Sequence, residues 1–107
     1  MSYRERTWRL LRGELLVGEV EVDGSDFPWL NGRFVAGPGY AAVRPWFDES
    51  LAALEAEEFE RFEDAYAPIG RELTLVAPDA GPVAEFLLHI EGGRAWFRWS
   101  DEAFDGE

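Results

Sequence analysis

The chain has one histidine, His89, for acid–base work, and no cysteine. All ten basic residues are arginine. Without lysine there is no Schiff base, no lysine general base and no P-loop lysine. Without cysteine there is no thiolate nucleophile, disulfide or zinc–thiolate centre. A Ser-His-Asp triad would have to combine His89 with Ser2, Ser25, Ser50 or Ser100, none of which lies in a Gly-x-Ser-x-Gly elbow. A two-histidine metal motif cannot form within one chain, and no Asp-x-Asp-x-Asp-Gly loop is present. No metal ion or cofactor is therefore expected. Gly37-Pro38-Gly39 reads as a turn rather than a phosphate cradle.

Three residue groups remain that could bind or react. The first is Leu87, His89, Trp96 and Arg98, which share one face only if residues 83–91 and 94–100 pair about Gly92-Gly93. A two-residue turn fixes the register. Glu91 then opposes Arg94, His89 opposes Trp96 and Leu87 opposes Arg98. The other face carries Ile90 opposite Ala95, Leu88 opposite Phe97 and Phe86 opposite Trp99, and faces the core. A face bearing Trp and Leu must meet another layer, a second copy or a ligand. Trp and Arg are favoured at binding hot spots. His89 itself reads as a packed or surface imidazole rather than a catalyst.

The second group is an aromatic connection: Trp29 beside Pro28, and Arg44 and Trp46 around Pro45. Stiff backbone lowers the ordering cost of binding. The plainer alternative has Trp46 and Phe47 stapling a helix entry against Leu51. The third is Glu58. On a helix running from an Asp48 N-cap through Leu51, Leu54, Phe59, Phe62 and Tyr66, it falls within the apolar stripe. A carboxylate there must pair, for instance with Arg33 or Arg98, or raise its pKa as a general acid or base would.

The elements that must position these groups follow from periodicity. Strands are expected over residues 7–12 and 14–22, the latter with Leu16, Val20 and Val22 on one face. Asp23-Gly24 and Asn31-Gly32 both read as hairpin turns, bracketing a short edge strand over 26–30 and returning through 33–36. Residues 37–45 read as a loop. One long helix follows from Asp48 and stops before Pro68 and Gly70. Strands at 71–77, 83–91 and 94–100 complete the chain. The pattern predicts an α+β fold: an antiparallel, meander-type sheet of five to seven strands, with one long amphipathic helix packed on one face.

The 107 residues, 47% apolar and 15% aromatic, suit one domain with a genuine core. Residues 101–107 read as a frayed acidic tail. No apolar run is long enough for a membrane span, and no basic start precedes a hydrophobic stretch, so a cytoplasmic location is expected. The net charge of −12 opposes phosphate binding and argues against nucleic acid as a partner. Charge is uneven. Residues 4–12 carry four arginines against one glutamate, and residues 48–64 carry eight acids against one arginine.

Asp26-Phe27-Pro28-Trp29, Gly32-x-Phe34, Arg44-Pro45-x-Phe47 and the run 86–92 together resemble a family of small uncharacterised bacterial proteins. The resemblance implies a small stand-alone domain and no particular activity. The expected function is a non-enzymatic acidic binding domain that engages a protein partner or itself. The alternative is a small-ligand-binding domain or weak enzyme with a pocket between sheet and helix, using Glu58, His89 and Arg98.

Overall fold

The structure, a computed structural model, describes residues 6–101. The elements are β1 (Thr7–Arg12), β2 (Leu15–Asp26), β3 (Trp29–Ala36), α1 (Tyr40–Glu55), α2 (Phe59–Glu72), β4 (Thr74–Ala77), β5 (Gly81–Pro82), β6 (Glu85–Glu91) and β7 (Arg94–Ser100). All strand pairs are antiparallel, in the order β5-β4-β1-β2-β3-β7-β6. The sheet curls into a half-barrel. It is not a simple meander, because β4 returns to β1 and β7 returns to β3. The acidic tail expected over 101–107 lies, beyond Asp101, outside the described residues.

Register assigns the two faces. Leu10 pairs with Leu75, Val20 with Trp8 and Phe34, and Phe97 with Leu30 and Leu88. These side chains form the inner face and, with Val43, Phe47 and Ile69 from the helices, the core. The outer face carries Glu21 and Arg33 across β2–β3, joined by a 2.6 Å ion pair. It carries Trp29, Trp96, His89 and Leu87 across β3–β7–β6.

Two helices replace the expected one, and both ends of the expectation move. The helix begins eight residues before Asp48, at Tyr40, with Pro45 inside it. The amphipathic stripe explains this: Tyr40, Val43, Phe47, Leu51 and Leu54 recur at spacings of three and four. Burying that stripe outweighs the one backbone hydrogen bond Pro45 removes. Trp46 and Phe47 therefore lie within α1 rather than stapling its entry.

The break falls at residues 56–58. Glu57 is left-handed, with φ 59°. The Glu58 N–H donates to the Ala53 carbonyl and the Glu57 N–H to the Leu54 carbonyl, the paired bonds of a Schellman cap. That position favours glycine, and a glutamate there hides the helix end from a sequence reading. Past the break α2 buries Tyr66 and Ile69 and runs through Pro68 to Glu72, so β4 starts at Thr74.

Neither Asp23-Gly24 nor Asn31-Gly32 is a turn. β2 runs on to Asp26, the turn is Phe27-Pro28, and the register shift between Val22 and Gly24 makes Asp23 a bulge. These residues serve the ladder instead. A Cβ at Gly32 would run into the Glu21 carbonyl, so glycine is needed for close approach. Asp23 binds Arg94 of β7 through both carboxylate oxygens, at 2.8 and 2.9 Å, and Asn31 Oδ1 accepts from Arg94 at 3.3 Å. The expected edge strand around Pro28 is thus absorbed into β2 and β3, and β3 is interior.

The Gly92-Gly93 hairpin forms with every pair in the expected register. Trp99 alone departs from the core face; it is 37% exposed and leans on Trp8. β6 is an edge strand, and α2 blunts it. Tyr66 Oη donates to the Phe86 carbonyl at 3.1 Å and accepts from the Leu88 N–H at 2.8 Å. Burial raises the Tyr66 pKa, so the hydroxyl stays protonated as a donor.

Two stability changes follow. Tyr66→Phe strips both groups of their buried partner and should destabilise the fold by about 1–3 kcal/mol. Urea denaturation checks this, and a loss under about 0.5 kcal/mol contradicts it. Glu57→Gly removes the left-handed penalty and should raise stability by about 0.5–1 kcal/mol in the same assay. A decrease would contradict the cap.

Candidate functional site

His89 is the centre of the outer-face cluster. Trp29 comes from β3, Trp96 from β7 and His89 from β6, so three neighbouring strands supply one ring each. A fourth ring, Phe62, reaches round the β6 edge from α2. The centroids of Trp29, Trp96 and Phe62 lie 5.9, 5.5 and 6.0 Å from that of His89. Trp29 is nearly parallel to the imidazole, at 29°. Closed in by these rings, His89 is only 4% exposed although it points away from the core.

The environment keeps His89 neutral. Burial lowers its pKa, because an imidazolium here would lose its hydration. Nδ1 is fully buried and has no hydrogen-bond partner among the described residues. A general base needs an orienting partner on its second nitrogen. His89 lacks one, and its rings of contact are apolar.

A recess of about 580 Å³ opens beside this cluster. Trp29, Trp96 and His89 form its aromatic part, Asp26, Asn31 and Arg94 its polar part, and Leu54 completes its lining. A second, larger groove of about 690 Å³ runs on the far side of Phe62, between α2 and the β4–β6 side of the sheet. Leu54, Phe59, Phe62, Phe86 and Leu87 supply its apolar lining, and Glu63, Glu85 and Arg71 its charges. Phe59 is 61% exposed.

The expected face is thus assembled but divided. His89 and Trp96 line the recess, while Leu87 lines the groove. Arg98 is half-buried in β7 opposite Leu87. The aromatic connection is split too. Trp29 joins His89, whereas Arg44 and Trp46 sit on α1. Arg44 pairs with Asp48 at 3.4 Å, and Trp46 stacks beneath the Arg12 guanidinium at 5.1 Å.

Glu58 corrects the expectation most clearly. The helix break removes it from any stripe and leaves it exposed at the start of α2, 2.6 Å from Arg61. Arg61 also binds Glu49 at 2.7 Å, which holds the Glu49 carboxyl below its ordinary pKa. A sheet–helix groove does exist, but its polar groups are Glu63, Glu85 and Arg71 rather than Glu58, His89 and Arg98. Among the described residues no cluster of three or more His, Cys, Asp or Glu is placed to hold a metal ion, and no helix is long and apolar enough to cross a membrane.

Phe62 and Asn31 were not singled out by sequence. Phe62 reads as helix stripe and Asn31 as turn, and only the tertiary fold brings either to His89. No protein-family model matches the chain, and no curated protein or solved structure matches it.

The depressed His89 pKa has a signed consequence. The unfolded chain takes up a proton near the ordinary value of about 6.5, while the folded chain resists it. The His89 contribution to stability is therefore present above that value and lost as pH falls through the folded pKa. His89→Phe should abolish that part of the pH dependence. Urea denaturation at about pH 7.5 and about pH 5.5 measures it. Equal losses in wild type and variant would contradict the assignment.

Proposed function

We propose that this protein is a non-catalytic binding domain, and that its groove along α2 receives a partner segment carrying apolar side chains and Arg or Lys. The observation that carries this reading is the exposed Phe59 at the mouth of a groove with an aromatic floor and Glu63 and Glu85 on its rim. Exposed apolar concavities of this kind mark interaction surfaces. Arg71, the single lining guanidinium among the described residues, lies 3.5 Å from Glu72 and is offset by it. With a chain charge of −12, the groove attracts basic segments and repels acidic ones. His89, without an orienting partner, supports binding over catalysis. A cytoplasmic setting and a homodimer seam are the remaining parts of the expectation. A dimer would bring a second −12 chain against an acidic rim, which favours a different protein as partner.

The test uses two synthetic helical peptides with the same Leu and Phe anchors, one with arginines and one with glutamates at the flanking positions. The arginine peptide should shift the amide resonances of Phe62, Glu63, Glu85 and Leu87. Its association should slow as salt is raised from about 20 to about 200 mM. Reversing Glu63 and Glu85 to arginine should weaken it by about tenfold or more. Equal binding of both peptides, or no dependence on salt, would contradict the proposal.

A further inference from the structure

The recess at Trp29, His89 and Trp96 adjoins the groove along α2, with Leu54 lining both, and its chemistry is different. It is mainly apolar, with three polar side chains beside the rings and Leu54, and nearly balanced in charge. Among the described residues, Asp26 is its one carboxylate and Arg94 its one guanidinium. Arg94 is already occupied: Asp23 takes two of its N–H groups, and Asn31 Oδ1 accepts from it as well. Asp26 together with the chain charge repels an incoming anion, while the N–H groups left on Arg94 can still donate to a neutral oxygen. A cation fares little better. The faces of the imidazole are already packed against Trp29, Phe62 and Trp96, so the rings touch one another rather than enclose an empty centre. The guanidinium of Arg94 also forms part of the wall.

The remaining ligand class is neutral, with an apolar face and a polar edge. Asp26 can accept hydrogen bonds, Arg94 can donate, and the Asn31 amide nitrogen can donate because its oxygen is held by Arg94. A hydroxyl both donates and accepts, so a ring edged with hydroxyls suits this mixed fence. Trp29 lies 29° and Trp96 43° from the imidazole, and both indoles line the recess. A puckered ring with C–H groups on its face needs only an open indole. The volume, about 580 Å³, lies within the range of small-ligand sites.

We propose that this recess is a binding site for a neutral sugar, seated on the Trp29 and Trp96 indoles with its hydroxyls directed to Asp26, Asn31 and Arg94. The site does not rest on the reading of the α2 groove, and either can fail alone.

The experiment follows the indole N–H resonances of ¹⁵N-labelled full-length protein. The probes are cellotetraose, maltotetraose, laminaritetraose, chitotetraose and mannotetraose, with tetramethylammonium chloride and sodium acetate as charged controls. The expected result is saturable shifts of Trp29 and Trp96 with at least one oligosaccharide, while the buried Trp8 indole stays still. Asn31→Ala and Trp96→Ala should each weaken that binding about tenfold, with the Trp8 signal unchanged as the check on folding. Saturation by tetramethylammonium or acetate and by no oligosaccharide overturns the ligand class in favour of a charged one. No saturable shift with any probe overturns the site.

Discussion

The β3–β7 ladder is the constraint on which the rest of the structure depends. The chain leaves β3 at Ala36, passes through two helices and the β4–β5 edge, and returns to β3 more than fifty residues later as β7. Four paired positions, from Leu30–Phe97 to Arg33–Arg94, carry that return. They do two jobs at once. On the inner face they bring Phe97 into the core among Trp8, Leu30 and Leu88. On the outer face they set Asn31 beside Trp96 and place Trp29 against His89. Arg94 reinforces the ladder by binding Asp23 across β3, which ties β7 to the β2 bulge. A slip of one residue would exchange the faces and put His89 and Trp96 into the core.

The helices serve the same assembly from the other side. Their inner faces fill the half-barrel, and the Schellman turn at Glu57 lets α2 fold back over the β6 edge. Tyr66 satisfies that edge with one hydroxyl, which also keeps it from pairing with another chain. The turn delivers Phe62 to His89 and Phe59 to the mouth of the groove. A single straight helix could do neither. The acids that make residues 48–64 so negative are consequently spread along α1, the turn and α2. Glu49 and Glu58 converge on Arg61, while Glu63 remains to set the sign of the groove.

The β6–β7 hairpin was legible in the sequence because its information is local: two glycines, strict alternation and a register that follows from turn length. The outer-face set Leu87, His89 and Trp96 was legible for the same reason. What the sequence hid was tertiary in origin. Asp23-Gly24 and Asn31-Gly32 have turn-like composition, yet their glycines permit close strand approach and their polar side chains hold Arg94, which lies more than sixty residues away. Glu57 ends a helix with no glycine to announce it. Pro45 and Pro68 lie inside helices because buried stripes outweigh the bonds they remove. Glu58 was misplaced as a direct result, since its position on a stripe assumed an unbroken helix.

One neutral imidazole, walled by Trp29, Phe62 and Trp96, organises the outer face. The most direct measurement is the proton spectrum of His89, unambiguous because no other histidine exists. The structure predicts imidazole C–H resonances shifted upfield by ring currents, nuclear Overhauser contacts to all three aromatic rings, and a titration midpoint below about 6.5. Resonances at unstructured positions, no contact to Trp29 or Phe62, and a midpoint at or above that value would contradict it.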